Sequence, residues 1–254
     1  MIKAAFFDID GTLLSFKTHK VSEGTKRAFA RLHSVGIRTF LSSGRPQCLI
    51  PAMPLHFDAH ITMNGALVYT PTETLISHPI PKSDTEAWLD IARRKRLCTM
   101  IFERDSMIAT QLNDTGLRLR EQLAFPMPPV VDIDQIEDIV AYQIIALMPS
   151  EMDAAVAAVM PGCRMPRWHP AFTDIVAMGN DKSKGMAAVC DHFNIDQADT
   201  IAFGDGANDI EMLQWAGIGI AMGNADPTVK ESADMVTTDV DHEGIENAID
   251  KLLR

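Results

Sequence analysis

Short apolar runs alternate with amphipathic stretches at both ends of the chain. Residues 3–7, 37–41 and 200–203 are runs of strand length, and polar or acidic residues follow each of them directly. Between the first two runs, apolar residues at helical spacing follow Ser22, a residue that caps helices well, and stop before Gly36. This alternation predicts an α/β fold built on a Rossmann-like parallel sheet.

The middle of the chain has a different pattern and contains no candidate catalytic motif. Pro79 and Pro81 separate it from the first apolar runs. Its predicted elements are a helix over 83–96, strands at 98–103, 106–110, 139–148, 164–168 and 173–176, and a helix over 152–160. We therefore predict a discontinuous core, 1–80 and 181–254, with an α+β domain, 81–180, inserted into it.

The core pattern continues on both sides of this insertion. Residues 59–63 and 66–69 predict two strands that meet at Asn64-Gly65, a pair typical of hairpins. After residue 180 the predicted elements are helices at 183–193, from 209, at 226–232 and at 244–253, with a strand at 218–221.

Two acidic residues one position apart follow the first predicted strand, in Asp8-Ile9-Asp10-Gly11-Thr12. Their side chains point the same way, because side chains alternate along a strand. Like charges this close favour a hard cation such as Mg²⁺, a shared proton, or both. Gly11 allows a sharp turn whose amides suit an anion. Asp and Gly also mark ordinary turns, but that interpretation predicts no matching partners downstream.

Three later segments supply such partners. Ser42-Ser43-Gly44-Arg45 combines hydroxyls, a turn glycine and a cation after a strand, which suits an oxyanion. Lys182 opens a predicted helix, where a lysine and the helix N-terminus both favour phosphate, whereas Lys184 is interpreted as a solvated surface residue. Gly204-Asp205-Gly206-Ala207-Asn208-Asp209 repeats the order of strand, acidic turn and helix start. Because ligands of open parallel sheets bind beyond the carboxyl ends of the strands, we expect these segments to converge.

Together, these segments resemble the four motifs of the haloacid dehalogenase (HAD) superfamily. The closer likeness is to its Cof-type branch of Mg²⁺-dependent sugar-phosphate and metabolite phosphatases. The likeness runs from Asp8-Ile9-Asp10-Gly11-Thr12-Leu13-Leu14 to 204–213, and it includes Ala221-Met222-Gly223-Asn224-Ala225 and Asp241-His242-Glu243-Gly244-Ile245. The inserted domain resembles the large cap that Cof-type enzymes carry between the second and third motifs.

The resemblance implies a phosphatase of small phosphorylated metabolites, with sugar phosphates as the first expectation. The resemblance also implies that Asp8 is the nucleophile that forms an aspartyl-phosphate and that Asp10 is the general acid and base. The implied phosphate-binding residues are Ser42, Ser43, Gly44, Lys182 and Asn208. The implied Mg²⁺ site comprises Asp8, Asp10 through its main-chain carbonyl, Asp205 and Asp209. For Asp209 three roles stay open, namely contact with a metal-bound water, orientation of Lys182, and capping of its own helix.

Charge and composition narrow the possible partners. The net charge of −11 argues against a general binder of nucleic acid or anionic membranes. The four cysteines are scattered without a Cys-x-x-Cys pair, so zinc and redox motifs are unsupported. No apolar run is long enough to span a bilayer. We expect a cytoplasmic monomer or small homo-oligomer whose partner is a phosphorylated metabolite.

Other functions remain open at this level. A phosphomutase would keep Asp8 and Asp10 but transfer the phosphoryl group to a second hydroxyl. A signalling receiver also gathers acidic residues, a hydroxyl and a lysine, yet it is a single small domain without Asp-x-Asp-Gly-Thr. A silent metabolite binder is disfavoured because every motif acid is present. In the inserted domain a group of charged and aromatic residues is interpreted first as packing and second as substrate contacts. They are Arg164, Arg167, Trp168 and His169.

Overall fold

Strands and helices alternate along most of the chain in the computed structural model, which describes residues 1–111, 113–122, 128–167 and 169–253. In these residues the β-strands are β1 (Ala4–Phe7), β2 (Arg38–Ser42), β3 (Ala59–Thr62), β4 (Leu67–Tyr69), β5 (Thr74–Ser77), β6 (Thr99–Phe102), β7 (Met107–Ala109), β8 (Gln143–Ala146), β9 (Cys163–Arg164), β10 (Thr173–Ala177), β11 (Thr200–Gly204), β12 (Ile218–Ala221) and β13 (Met235–Val236). The α-helices are α1 (Glu23–Ser34), α2 (Lys82–Lys95), α3 (Asp114–Gln122), α4 (Asp153–Val159), α5 (Lys182–Phe193), α6 (Ile210–Trp215), α7 (Pro227–Glu231) and α8 (Gly244–Leu252).

Strand β1 lies in the middle of the first sheet because its sequence is apolar on both faces. All four of its residues are buried, which is typical of a parallel strand covered on two sides. It pairs in parallel with β2, where Ala4 lies opposite Arg38, and with β11, where Ala4 lies opposite Thr200. The carboxyl ends of these three strands therefore lie side by side.

The first sheet has the order β13-β12-β11-β1-β2-β3-β4-β5 in the described part of the chain. Its strands are parallel from β13 to β3, whereas β4 and β5 extend the sheet as antiparallel strands. The sheet belongs to a compact unit that comprises Met1–Arg45, Pro51–Ser77 and the chain from Asp181 onward. The predicted fold class, α/β with a parallel sheet, is confirmed.

Helix α1 shows how local sequence positions a layer on this sheet. The Ser22 hydroxyl accepts a hydrogen bond from the Thr25 amide at 3.0 Å and so caps the helix. Phe29 on its buried face contacts Phe7 of β1, with 4.7 Å between the ring centroids. Phe7 also stacks on Phe203 of β11 at 5.0 Å. Replacing a ring buried in this way by alanine costs about 3–5 kcal/mol.

The second compact unit comprises Pro46–Ile50 and His78–Asn180. Its described strands form an antiparallel sheet in the order β7-β6-β8-β10-β9. Helix α2 contributes Trp88, which is fully buried in the core of this unit. Leu49 packs with Phe102, Phe172 and other residues of the same unit. Pro46–Ile50 lies within residues 1–80, which the sequence pattern predicts as the first part of the discontinuous core.

The charged and aromatic candidates in this unit make structural contacts. The Arg167 guanidinium pairs with Asp153 at 2.6 Å and donates to the carbonyl of Phe172 at 2.9 Å. Arg164 donates to the carbonyl of Asn180 at 3.0 Å. The His169 ring stacks on Phe172, with 4.9 Å between centroids. These contacts agree with the packing interpretation, while Trp168 lies outside the described residues.

Several elements differ from their predicted bounds. The strand predicted at 139–148 is limited to β8, and the one at 164–168 is reduced to the two residues of β9. Strands β5 and β13 and helix α3 were not predicted. Among the described residues no helix combines the length and apolarity needed to cross a bilayer.

Candidate active site

The acidic segments converge at the carboxyl edge of the first sheet. Asp8 follows β1 directly, and Asp205 follows the neighbouring strand β11. One carboxylate oxygen each from Asp8, Asp205 and Asp209 can be chosen so that all three lie within 4.8 Å of one another. Parallel strands bring together residues that are nearly 200 positions apart in sequence, because their carboxyl ends share one edge.

The turn after β1 fixes Asp205 from one side. Gly11 has φ +80°, and a Cβ atom at this position would lie 2.1 Å from Oδ2 of Asp205. The hydroxyl of Thr12 donates to the other oxygen, Oδ1, at 3.1 Å. The glycine is therefore required both for its backbone conformation and for the close approach of the carboxylate.

The segment after β12 holds the same carboxylate from another direction. The Asn224 amide nitrogen donates to Oδ2 of Asp205 at 2.9 Å and to the carbonyl of Gly11 at 2.8 Å. Its amide oxygen accepts from the Val240 amide at 3.0 Å. Asn224 thereby joins the two acidic turns to the segment that precedes α8.

Lys182 lies at the centre of the cluster. It is the first residue of α5, whose N-terminus is capped by the Asp181 side chain. Its ammonium group is fully buried and donates to Oδ1 of Asp8 at 2.6 Å and to Oδ1 of Asp209 at 2.5 Å. Lys184, in contrast, has 61 % of its side chain exposed and lies near Asp181. The structure therefore brings Lys182, and not Lys184, to the acidic group.

Asp209 uses both oxygens within the protein. Oδ1 accepts from Lys182, and Oδ2 accepts from the main-chain amides of Asp205 at 3.0 Å and Gly206 at 2.9 Å. The side chain is fully buried. Asp209 thus both orients Lys182 and fixes the turn that carries Asp205.

The electrostatics of this group show a shortage of positive charge. Burial, and then the charge of Asp209, raise the pKa of Asp8 to about 8, although Lys182 opposes the shift. The same two causes raise the pKa of Asp205 to about 6. Burial disfavours the Lys182 ammonium, but the charges of Asp209 and Asp8 outweigh it and raise its pKa. When all three carboxyl groups are ionised, they and the one ammonium carry two net negative charges, which a divalent cation with oxygen ligands balances.

Asp10 is bound differently from Asp8. Both of its carboxylate oxygens accept from the Arg45 guanidinium, Oδ2 from Nε at 2.7 Å and Oδ1 from Nη2 at 2.8 Å. Its side chain is not among the three clustered carboxylates of the described chain. Because a paired guanidinium and carboxylate form two parallel bonds, the orientation of Asp10 is fixed by the loop after β2.

The end of β2 and the loop after it carry three of the predicted phosphate-binding residues, Ser42, Ser43 and Gly44. The Ser43 hydroxyl is buried and accepts from the Arg45 amide at 3.1 Å. A Cβ atom on Gly44 would lie 3.4 Å from Nδ2 of Asn208, so these two residues lie close together. The Ser42 hydroxyl is buried and has no hydrogen-bond partner in the part of the chain that the structure describes.

Three residues near the site had no role predicted from sequence. Thr12 stands inside the first acidic motif, and Asn224 stands inside the Met-Gly-Asn-Ala segment, so both carried a motif signal. Asn64 carried no such signal, because Asn64-Gly65 is interpreted from the sequence as a hairpin turn. Its side chain nevertheless accepts from Nδ2 of Asn208 at 3.0 Å.

The family is shown by comparison with known proteins. A family model described as haloacid dehalogenase-like hydrolase matches residues 5–249, and the chain belongs to that family. Bacillus subtilis (strain 168) YkrA is 32 % identical and aligns over 98 % of this chain and 97 % of its own length. The predicted superfamily is therefore confirmed.

Solved structures support the same assignment. The structure of the HAD subclass IIB sugar phosphatase BT4131 superposes with a TM-score of 0.84 at 34 % identity, covering 98 % of both chains. That of the HAD-superfamily protein BT1666 from Bacteroides thetaiotaomicron gives 0.87 at 34 % identity, covering 99 % of this chain and 95 % of the other. The predicted class, a HAD-type phosphatase, is confirmed by the family match and these relatives.

Proposed function

We propose that this protein is a Mg²⁺-dependent phosphatase that hydrolyses small phosphorylated metabolites through an aspartyl-phosphate on Asp8. The observation that carries the proposal is the buried ion pair between Asp8 and Lys182, beside Asp205 and Asp209 within 4.8 Å. In this position the carboxylate of Asp8 is held where a phosphoryl group and a cation can both reach it. A surface aspartate is not held in this way.

The three carboxylates fit a divalent cation by charge and ligand type. When bound, Mg²⁺ would be held by Asp8, Asp205 and the main-chain carbonyl of Asp10, and would neutralise charge on the phosphoryl oxygens. Asp209 is engaged by Lys182 and two amides, which supports an orienting role for it. It would then reach the cation only through water.

In the first half-reaction a carboxylate oxygen of Asp8 attacks phosphorus. The bond between phosphorus and the ester oxygen breaks, and Asp10 donates to that leaving oxygen a proton that it has first bound on one of its carboxylate oxygens, which requires release of one of its two bonds to Arg45. Lys182 stays protonated and offsets negative charge on Asp8 and on the transferring group. The product of this step is an alcohol, and the phosphoryl group is bonded to Asp8.

In the second half-reaction Asp10 is ionised and accepts a proton from water. The water oxygen attacks phosphorus, the bond between phosphorus and the Asp8 oxygen breaks, and inorganic phosphate leaves. We propose that Ser43, Gly44 and Asn208 hold the phosphoryl oxygens in both steps, with the Ser42 hydroxyl as a further donor.

Sugar phosphates are the proposed substrate class because BT4131, 34 % identical over 98 % of both chains, is a sugar phosphatase. We further propose that residues 81–180 act as a cap that selects the leaving group. This assignment accounts for a domain-sized insertion without a catalytic motif of its own.

Hydrolysis assays with purified protein test the proposal. Wild-type protein is expected to release inorganic phosphate from an aryl phosphate and from sugar phosphates with Mg²⁺, and to stop in excess chelator. Asp8→Asn should be inactive, whereas Asp199→Asn, a surface pair with Lys3 before β11, should retain activity. Turnover by Asp8→Asn, or activity that persists in chelator, would contradict the proposal.

A further inference from the structure

The turn Met63-Asn64-Gly65 has an unusual backbone conformation. These three consecutive residues have φ values of 49°, 52° and 89°. Left-handed conformations are unfavourable for residues with a Cβ atom, and such strain persists where the surrounding structure fixes it, often at functional sites. A simple hairpin of two strands does not need this arrangement.

The main chain of this turn contacts the loop that carries Ser43 and Gly44, two of the proposed phosphate-binding residues. The Asn64 amide donates to the carbonyl of Ser43 at 3.1 Å, and the Met63 amide donates to the carbonyl of Arg45 at 3.1 Å. The turn therefore fixes both ends of the segment Ser43-Gly44-Arg45.

The same turn also lies against the N-terminus of α5. A Cβ atom on Gly65 would lie 2.2 Å from the carbonyl oxygen of Asp181, the residue that caps the helix beginning with Lys182. Only glycine allows this approach, because no side chain fits and φ is +89°. The turn thus contacts two of the segments that form the site.

The side chain of Asn64 contacts a third segment of the site, the one that carries Asn208. Oδ1 of Asn64 accepts from Nδ2 of Asn208 at 3.0 Å, and Nδ2 of Asn64 would lie 3.3 Å from a Cβ atom on Gly44. The amide group of asparagine has two N–H donors. Asn64 accepts from one N–H donor of Asn208. This bond restricts the orientation of the Asn208 amide group and therefore the direction of its second N–H donor.

We propose that Asn64 is a positioning residue that orients Asn208 toward the phosphoryl group, and that the strained turn is retained for this purpose. The inference rests on the proposed function, because it assigns Asn208 to phosphate. Asn208 is exposed, and within the described residues its side chain hydrogen-bonds only to Asn64. Holding a donor in advance of binding removes the entropic cost of ordering it with the substrate.

Asn64→Gly separates the side chain from the backbone conformation. Glycine accepts the left-handed conformation, so the variant loses only the side chain. Asn194→Gly is the matched control, because Asn194 ends α5 with φ 55° and ψ 50°, close to the 52° and 42° of Asn64. Both variants should fold, and their unfolding midpoints in urea verify this.

The measurements are hydrolysis of an aryl phosphate and competitive inhibition by inorganic phosphate. Asn64→Gly is expected to lower kcat/KM about tenfold and to weaken phosphate inhibition, the loss expected for one misplaced hydrogen bond to a charged group. Asn194→Gly should match wild type. In a protein that already carries Asn208→Ala, adding Asn64→Gly should cause little further loss of kcat/KM, since the side chain that Asn64 orients is absent.

Three results would overturn the inference. They are equal kinetics for Asn64→Gly and wild type, equal losses in Asn64→Gly and Asn194→Gly, and fully additive losses with Asn208→Ala. All three require an active wild-type enzyme. A wild-type protein without phosphatase activity would instead refute the proposed function, so the two failures are distinguishable.

Discussion

The guanidinium of Arg45 binds both carboxylate oxygens of Asp10, at 2.7 and 2.8 Å. Asp10 is the proposed general acid and base, so this pair fixes the position from which its carboxyl group exchanges a proton. Both groups are partly exposed, with 36 % and 39 % of their side chains accessible. A pair of this kind contributes little to stability but fixes orientation through its two bonds.

Arg45→Lys is therefore expected to lower kcat while the protein stays folded. Lysine keeps the charge but presents a single point donor, which cannot bind both oxygens in one plane. We expect a loss of about tenfold or more, within the range of general acid–base contributions. Steady-state kinetics with an aryl phosphate measures it. Arg38→Lys, which alters a surface pair with Asp58, serves as the control and should leave kcat unchanged.

Lys182→Met should abolish activity and destabilise the protein. The substitution leaves Asp8 and Asp209 buried without their shared cation, and breaking a buried ion pair costs about 3–5 kcal/mol. Urea unfolding without added metal measures the loss. Lys184→Met, at an exposed lysine of the same helix turn, should leave stability and turnover close to wild type. Equal effects of the two substitutions would be incompatible with the central position of Lys182.

Removal of Mg²⁺ should lower both activity and thermal stability. A ligand that binds the folded state raises stability by mass action, and a divalent cation offsets the repulsion and burial that raise the pKa values of Asp8 and Asp205. Adding Mg²⁺ to chelated protein should therefore raise the unfolding temperature. Asp205→Asn should weaken this rise, because it removes one of the three clustered carboxylates. An unfolding temperature that does not respond to Mg²⁺ in the wild type would argue against a metal site here.

His60 predicts a pH dependence of stability that is independent of catalysis. Its ring stacks on Tyr69 with 5.1 Å between centroids, and its Nδ1 is buried without a hydrogen-bond partner among the described residues. Burial, together with the charge of His56, lowers the pKa of His60. Below the ordinary histidine pKa of about 6.5 the unfolded chain therefore binds a proton that the folded chain does not.

The contribution of His60 to the free energy of unfolding should consequently fall as the pH is lowered from about 7 to about 5, whereas the raised pKa values of Asp8 and Asp205 act in the opposite direction. His60→Phe keeps an aromatic ring but cannot bind the proton, so it should remove the His60 contribution to the slope over this range and leave the contribution of the carboxyl groups. Urea unfolding at several pH values measures the slopes. Tyr69→Phe retains the imidazole and should keep the wild-type slope. A slope unaffected by His60→Phe would show that other groups govern the dependence.

Much of the site could be predicted from sequence because it depends on strand ends. The run before Asp8 is apolar and local, and the run before Asp205 has the same form. Neighbouring parallel strands then bring the two carboxylates to one edge without further information. The general position of the acidic group follows from these two patterns alone.

Contacts set by loops could not be predicted in the same way. The preference for Lys182 over Lys184 rested on the family resemblance and not on the local pattern, because it depends on which side chain is buried at the start of α5. The pairing of Arg45 with Asp10 and of Asn64 with Asn208 depends on the paths of two loops. Asn64-Gly65 carried a correct turn signal, but its left-handed neighbour Met63 has no sequence signature.

The same reasoning explains the missed elements. Helix α3 contains Gly116 and alternates polar with apolar residues, so its periodicity is weak. Strand β5 has no fully buried face, and its four residues carry little hydrophobic signal. Pairing with β4 in the folded sheet determines it, which is a tertiary effect.

The most direct test of the account is to trap the phosphoryl group on Asp8. Asp10→Asn protein is mixed with an aryl phosphate and Mg²⁺, quenched rapidly in acid and digested, and its peptides are analysed by mass spectrometry. Slowed breakdown should allow the peptide that contains Asp8 to gain the mass of one phosphoryl group, and Asp8→Asn should abolish this gain. A phosphoryl group found on any other residue, or none on Asp8 while product accumulates, would contradict it.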